Sequence, residues 1–483
     1  ATPAINNKPA KPVSSFQSTY SPSRTSGESS VYSELPASTP PSKMSGLAEH
    51  EESSDEEMII DISDAKDETA VEEDGGEEQT PGLDPPDLAG TPELLLPPAH
   101  LSTRPEAALS GDALPHDFGP RLEETGYCVV EGAAGDGWCA GVRAEISALH
   151  QEHGLLKASP NRLSTARKGS SSQGQSGGWM CEKRGVFELP LVLDGKTLDD
   201  PQKNPESSLA LEKSPTIRKW LSGDDASEAS MLMSTLNDHA GWLQLTCLDT
   251  LKVQFNDGQG GCFPMHRDTL EATGRRLTVI VYLEEEWKPG DGGELRIHPF
   301  PLPAVDVAPC AARMVAFGSV ATLHRVMPAR KPRAVLSLWF SSELSHPPSF
   351  PSTFPSWLRE PEASLLRFLR EPSQGQRTTA VLTKILLRFE FAQSTIDAFW
   401  GQESVDSERK ECVDEPHGEP DGEAETGALS APSNDLSRGL PDGLSKALVL
   451  HFEEARDLER RTSPALLGML RRLLPLKSQG EHP

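Results

Sequence analysis

The chain has 483 residues, of which 36% are hydrophobic, with 42 Pro and 39 Gly, so a large share of it is not packed core. The net charge is −27, but Glu49–Glu78 alone holds 15 acidic residues against one Lys; the charge sits in one segment, and nothing marks the basic face of a general nucleic-acid binder. Seven scattered cysteines with no CxxC pair, and no apolar run of 18 residues, disfavour a disulfide scaffold, a zinc ribbon and a membrane helix.

Residues 1–110 are Ser/Pro-rich, then acidic, then Pro/Leu-rich, and are expected to be a disordered tail. No secretory signal pattern opens them. Together with the cysteine usage, this sets an expectation of cytoplasm and/or nucleus. Within the tail, Met58-Ile59-Ile60-Asp61-Ile62 sits among acids and serines. It resembles a SUMO-interacting motif, in which a β-branched run adds as a strand to a partner's sheet.

An ordered domain is expected over 111–345. Phe118–Glu131 reads as a helix end, a turn at Gly126 and a strand over Tyr127–Val130. Gly137–His153 is periodic for a helix, with Trp138, Val142, Ile146 and Leu149 on one face. Residues 157–230 are less regular, and Lys168–Gly178 has a loop composition. Met231–Leu245 reads as helical. Short β-rich runs follow at 251–255, 277–283, 293–298, 312–317 and 333–340, separated by turn signals such as Lys288–Gly293. Short strands without intervening helices predict a mainly β fold of jelly-roll or sandwich type. Beyond it come a helical extension over 346–401, an acidic linker over 402–442 and a C-terminal helical segment over 443–483. Helical periodicity marks Trp357–Arg370, Thr379–Trp400 and Leu444–Leu474.

The chemistry concentrates between Phe255 and Trp339. His266 and Asp268 lie two residues apart beside strand-like sequence, where i and i+2 share a face. His50/Glu52, His150/Glu152 and His451/Glu453 have similar spacing, but the first lies in the tail and the others on predicted helices. A third ligand must come from a distant strand. His324 is preferred and His298 is its rival. Two His and one carboxylate with open coordination positions form the facial triad of non-haem Fe(II) oxygenases. Nine residues after His324, Arg333 opens an alternating strand that places Arg333, Val335, Ser337 and Trp339 on one face. A guanidinium there suits the remote carboxylate of 2-oxoglutarate. Ser337, and Tyr282 on a face with Ile280 and Thr278, offer further hydroxyls.

Glu124–Val130, Gly274–Trp287, Gly292–Ile297 and His324–Ala329 through Arg333 and Trp339 resemble the prolyl 4-hydroxylase branch of Fe(II)/2-oxoglutarate dioxygenases, most closely the hypoxia-inducible-factor prolyl hydroxylases. The similarity covers about 115–345. It implies a double-stranded β-helix (jelly roll) with flanking helices. It implies iron at His266, Asp268 and His324, and 2-oxoglutarate contacts from Tyr282, Leu295, Arg333 and Ser337, lined by Ile280 and Trp339. It also implies O2 as co-substrate, L-ascorbate as the reductant that rescues oxidised iron, and a Pro-containing protein or peptide substrate. The sequence departs from the family at Phe255, read as standing where Tyr is frequent, and at Thr269-Leu270 after the HxD. The ribosomal-protein prolyl hydroxylases are a second relative, but the His–Arg spacing fits the first group.

The activity expected is therefore a peptidyl-proline (procollagen-proline) 4-dioxygenase type that releases succinate and CO2. Two alternatives remain. One is the same iron chemistry on another protein side chain, a nucleic acid or a small molecule. The other is a catalytically silent β-helix scaffold, against which the intact triad and Arg333 speak.

Overall fold

The computed structural model describes residues 92–96, 107–164, 178–222, 227–268, 274–343, 365, 368–369, 374–401 and 440–473. By its contacts the chain divides into Ala1–Ser54 and Asp55–Pro483, and every described residue belongs to the second unit.

Alternation in the β-rich runs builds two sheets facing each other. The larger contains β2 (Tyr127–Val130), β3 (Lys157–Ser164), β4 (Gly178–Leu193), β5 (Lys196–Thr197), β6 (Cys247–Asn256), β8 (Arg275–Tyr282), β11 (Met314–Gly318) and β13 (Arg333–Ser341). Its order is β2-β11-β8-β13-β6-β4-β3, with β5 paired to β4. The smaller contains β1 (Glu93–Leu95), β7 (Phe263–His266), β9 (Leu295–His298), β10 (Val305–Val307) and β12 (Leu323–Val326), in the order β1-β10-β9-β12-β7. Every pairing is antiparallel except β1 with β10.

Each strand of the large sheet divides its residues between two cores. Val279, Val281, Met314, Ala316, Leu336, Leu338 and Phe340 face outward, into a core completed by α2 (Asp136–Gln151), α4 (Pro215–Leu221) and α5 (Glu228–His239). Trp138, Val142, Ile146 and Leu149 are the buried face of α2, as the periodicity predicts. Ile280, Tyr282, Val315, Phe317 and Val335 face inward. They meet Leu295, Ile297, Val305, Val307 and Val326 of the small sheet. This sheet-rich core with flanking helices is the fold class expected.

Several local expectations change. Glu93–Leu95, inside the expected tail, is a strand. Leu95 packs on the inner core, and its carbonyl accepts from the buried Arg313 (2.8 Å). A three-residue strand has too short a pattern to show in sequence. Residues 157–164 and 178–193 are more regular than expected, since β3 and β4 pair antiparallel. The helix expected over Met231–Leu245 ends at His239. Phe255 faces the outer core, stacked on His150 at 4.6 Å, so the residue read as standing where the family often has Tyr lies outside the inward-facing set. Thr269 and Leu270, the 168–177 loop, the SUMO-type motif, the 402–439 stretch and most of the 1–110 tail lie outside the described residues.

The C-terminal helices are α6 (Gln374–Leu386), α7 (Arg388–Phe399), α8 (Asp442–Arg461) and α9 (Pro464–Leu473), preceded in chain order by α1 (Phe118–Thr125) and α3 (Pro205–Lys213). The break at Ser463 follows from Pro464, which is tolerated only in a first helical turn. Ile396 of α7 packs with Leu444, Leu448 and Phe452 of α8, and Trp179 and Leu163 of the β3–β4 pair join that cluster. The extension is thus packed on the β core. No described helix is long and apolar enough to cross a membrane, and the six described cysteines are free.

Candidate metal centre

β7 and β12 are neighbours, and their register sets His266 directly opposite His324. Asp268 lies two residues past the end of β7. One ligand atom from each of the three lies within 4.8 Å of the others. The Asp268 carboxylate is 3.4 Å from His266 Nε2 and 3.5 Å from His324 Nε2. His298, the rival, lies one residue past Ile297, which is His324's partner on β9, and so faces the opposite side of the small sheet. There its Nε2 is 3.4 Å from Glu390 of α7.

The imidazoles are oriented by backbone carbonyls. His266 Nδ1 is 2.7 Å from Pro264 O, and His324 Nδ1 is 3.1 Å from Thr322 O. A carbonyl can only accept, so each Nδ1 carries a proton, and Nε2 is the atom turned toward Asp268 and the shared centre. Burial pushes the His324 imidazole down to about 4, overcoming the upward pull of Asp268, so it is neutral at neutral pH. Burial works to raise the Asp268 carboxyl, but His324, His266 and the Thr278 hydroxyl together hold it well below the usual range. Thr278 Oγ1 donates to Asp268 Oδ2 (2.6 Å) and lies 2.8 Å from Ser319 Oγ. Thr278 and Ser319, which tie the carboxylate to the large sheet, were not singled out as supports. The alternation of β8, which puts Thr278 on the Tyr282 face, was the available signal.

The remaining candidates share the interior of the large sheet. Arg333 is 7% exposed, with its guanidinium 5.7 Å over the Tyr282 ring. Its Nη1 donates to Gly293 O. Gly293 has φ +77°, and a Cβ there would lie 3.0 Å from Arg333 Nη1, so this turn needs glycine for both conformation and room. Tyr282 is fully buried, with no hydrogen-bond partner for its hydroxyl, and burial raises its pKa far above the ordinary value. Ile280 and Leu295 pack beside it. Ser337 faces the same interior, but its hydroxyl donates to Gln254 Oε1 (2.9 Å). Trp339 stands opposite Thr278, with Arg275 5.6 Å over its ring. A cavity of about 240 Å³ opens beside Arg333, lined by Arg143, Glu284 and Lys331 among others and by none of the triad.

Residues 251–341 match the 2OG-Fe(II) oxygenase superfamily. The matched segment runs from β6 to β13. All three triad residues, Arg333 and Tyr282 lie inside it. The superfamily implies Fe(II), 2-oxoglutarate and O2, and a cluster of two imidazoles and one carboxylate is a donor set that fits Fe(II). Over 86 residues the chain is 35% identical to a hypoxia-inducible factor prolyl hydroxylase of Caenorhabditis elegans, a match spanning 17% of this chain and 12% of that relative's length. A prolyl 4-hydroxylase from Phytophthora capsici is 22% identical, with a TM-score of 0.48 over 77% of this chain and 94% of that one. A Trichoplax adhaerens prolyl hydroxylase, solved with a hypoxia-inducible factor peptide fragment, is 22% identical, with a TM-score of 0.33 over 48% of this chain and 90% of that one.

Proposed function

We propose that the oxygenase core hydroxylates prolyl residues of a protein substrate. The observation that carries the reading is the His266/Asp268/His324 cluster, with the Arg333–Tyr282 pair on β13 and β8 of the facing sheet. The resemblance of this segment to prolyl hydroxylases supports the choice of proline.

In this reading His266, Asp268 and His324 hold Fe(II), and Arg333 takes the remote carboxylate of 2-oxoglutarate. Bound Fe(II), with 2-oxoglutarate and O2, supplies oxidative decarboxylation to succinate and CO2 coupled to hydroxylation of a substrate C–H. The protein's own part is positional. The Pro264 and Thr322 carbonyls orient both rings so that their Nε2 atoms are aimed at one point. Thr278 fixes the Asp268 carboxylate. Arg333 is buried, so its pairing with an anion is screened less than in bulk water. The Tyr282 hydroxyl, buried and unpartnered, donates to that same carboxylate. Ser337 and Trp339 line the site. L-ascorbate sustains turnover by reducing oxidised iron, the cytoplasm or nucleus is the site of action, and a SUMO-type partner engages Ile59–Ile62.

The test is anaerobic calorimetry of 2-oxoglutarate binding to the full chain, with and without Mn(II) in place of Fe(II). It is followed by aerobic incubation with Pro-containing peptides and fragment mass spectrometry. Metal-dependent binding lost in Asp268→Ala, with one oxygen added at Pro, is the expected result. No cofactor binding by folded protein would leave the silent scaffold. Oxygen added at another residue, or cofactor turnover without peptide oxidation, would shift the substrate class.

A further inference from the structure

β7 is the edge strand of the small sheet, so its outer backbone groups need a partner from outside the sheet. α7 supplies it. The backbone N–H of Met265, next to His266, donates to Ser394 Oγ (3.0 Å). Ser394 is fully buried, and its own proton goes to Phe391 O (2.7 Å). Its oxygen is therefore oriented as an acceptor for Met265. One turn on, Asp397 accepts from Arg325 Nη2 (2.7 Å), and Arg325 is the residue next to His324. Both partners are buried, and Gln393 Nε2 donates to the other Asp397 oxygen (2.8 Å). One turn before Ser394, Glu390 lies 3.2 Å from Arg296 and 3.4 Å from His298 on β9. Three residues on successive turns of one helix thus reach the three strands that carry or neighbour the imidazoles. α7 lies outside the matched segment 251–341.

We propose that α7 is a positioning element of the metal site. Ser394 and Asp397 hold the residues adjoining His266 and His324, and so set the spacing of the two imidazoles. This rests on the metal-site reading given above. A strand pinned by a buried hydrogen bond beside its ligand cannot slide or tilt without leaving that bond unmade. Partners that orient metal ligands are worth about 10–100-fold in metal affinity. The helical extension is then part of the catalytic unit, and the acceptors that α7 presents are positioning residues that never touch the metal.

The test is Co(II) titration of the full chain, followed by its visible absorption, with thermal unfolding of the metal-free protein alongside. Ser394→Ala and Asp397→Asn remove the two contacts; the second keeps the side-chain shape and serves if the first does not fold. Ile396→Ala is the control, because Ile396 faces the α8 cluster and weakens α7 packing without touching β7 or β12. The expected result is a Kd for Co(II) raised about tenfold or more, with altered bands, in Ser394→Ala and Asp397→Asn, and a wild-type Kd in Ile396→Ala. Wild-type Co(II) binding in both contact variants would overturn the proposal. So would an affinity loss that tracks the fall in unfolding temperature equally in all three variants. Absence of Co(II) binding in the unaltered chain would instead overturn the oxygenase reading, and the positioning role with it.

Discussion

His266 and His324 are cross-strand partners on β7 and β12, with ring centroids 4.4 Å apart. Their separation along the chain is bridged by β8, β9, β10 and β11, so two sheets must close before the pair exists. Asp268 completes the cluster from the residue after next, held by Thr278 of the opposite sheet. The carboxylate is therefore a gauge of how the two sheets are seated.

Thr278→Val keeps the volume and removes the hydroxyl that donates to Asp268. The expected outcome is a rise of about 10–100-fold in the Kd for Mn(II), with Thr278→Ser close to the unaltered chain. Calorimetry on the two variants decides it, and equal affinity in both would show that Asp268 needs no fixing.

On the proposed reading, Arg333→Ala leaves a cofactor carboxylate without its buried cation. The loss expected in 2-oxoglutarate binding is about 2–4 kcal/mol, with metal affinity retained. An unchanged 2-oxoglutarate affinity would remove Arg333 from the cofactor site.

His298→Ala separates the two histidines that compete in the sequence. Its Nε2 faces Glu390 and not the triad, so the variant is expected to bind Mn(II) as the unaltered chain does, whereas His324→Ala is expected to lose binding. The reverse pattern would make His298 the ligand.

Glu284 lines the cavity beside Arg333 and accepts from the Ala334 N–H. Burial pushes its carboxyl up from an ordinary 4.5 to about 7, against the downward pull of Arg333 and of the backbone donors. Between those values the folded chain keeps a proton that the unfolded chain has lost. Stability therefore falls as pH rises through the window, by about 3 kcal/mol at most, and levels off above it. Glu284→Gln is expected to flatten that slope. Urea unfolding midpoints on either side of the window measure it, and an identical slope in the variant would assign the dependence elsewhere.

Much of this was legible along the chain because strand alternation and helix periodicity are local. The inward set of Arg333, Val335, Ser337 and Trp339 follows from period two, and the buried face of α2 from its apolar spacing. The His-x-Asp pair was legible because i and i+2 converge where the chain is extended. The preference for His324 came from Arg333 nine residues later. Phe255 shows the limit: a side chain one position out of register turns to the other face, and only the pairing with β13 shows that it packs outside.

What the sequence determined by itself is the identity of the donors, the strand faces that carry them and the resemblance those residues bear to prolyl hydroxylases. Tertiary structure alone decided the rest, because those contacts join residues distant in the chain. It set His266 opposite His324, tied Asp268 to Thr278, and brought Arg333 over Tyr282. It also laid α7 along β7, placing Ser394 on Met265 across 129 residues. No local pattern encodes such contacts, since their geometry exists only once the two sheets have closed and the helix has packed on their edge.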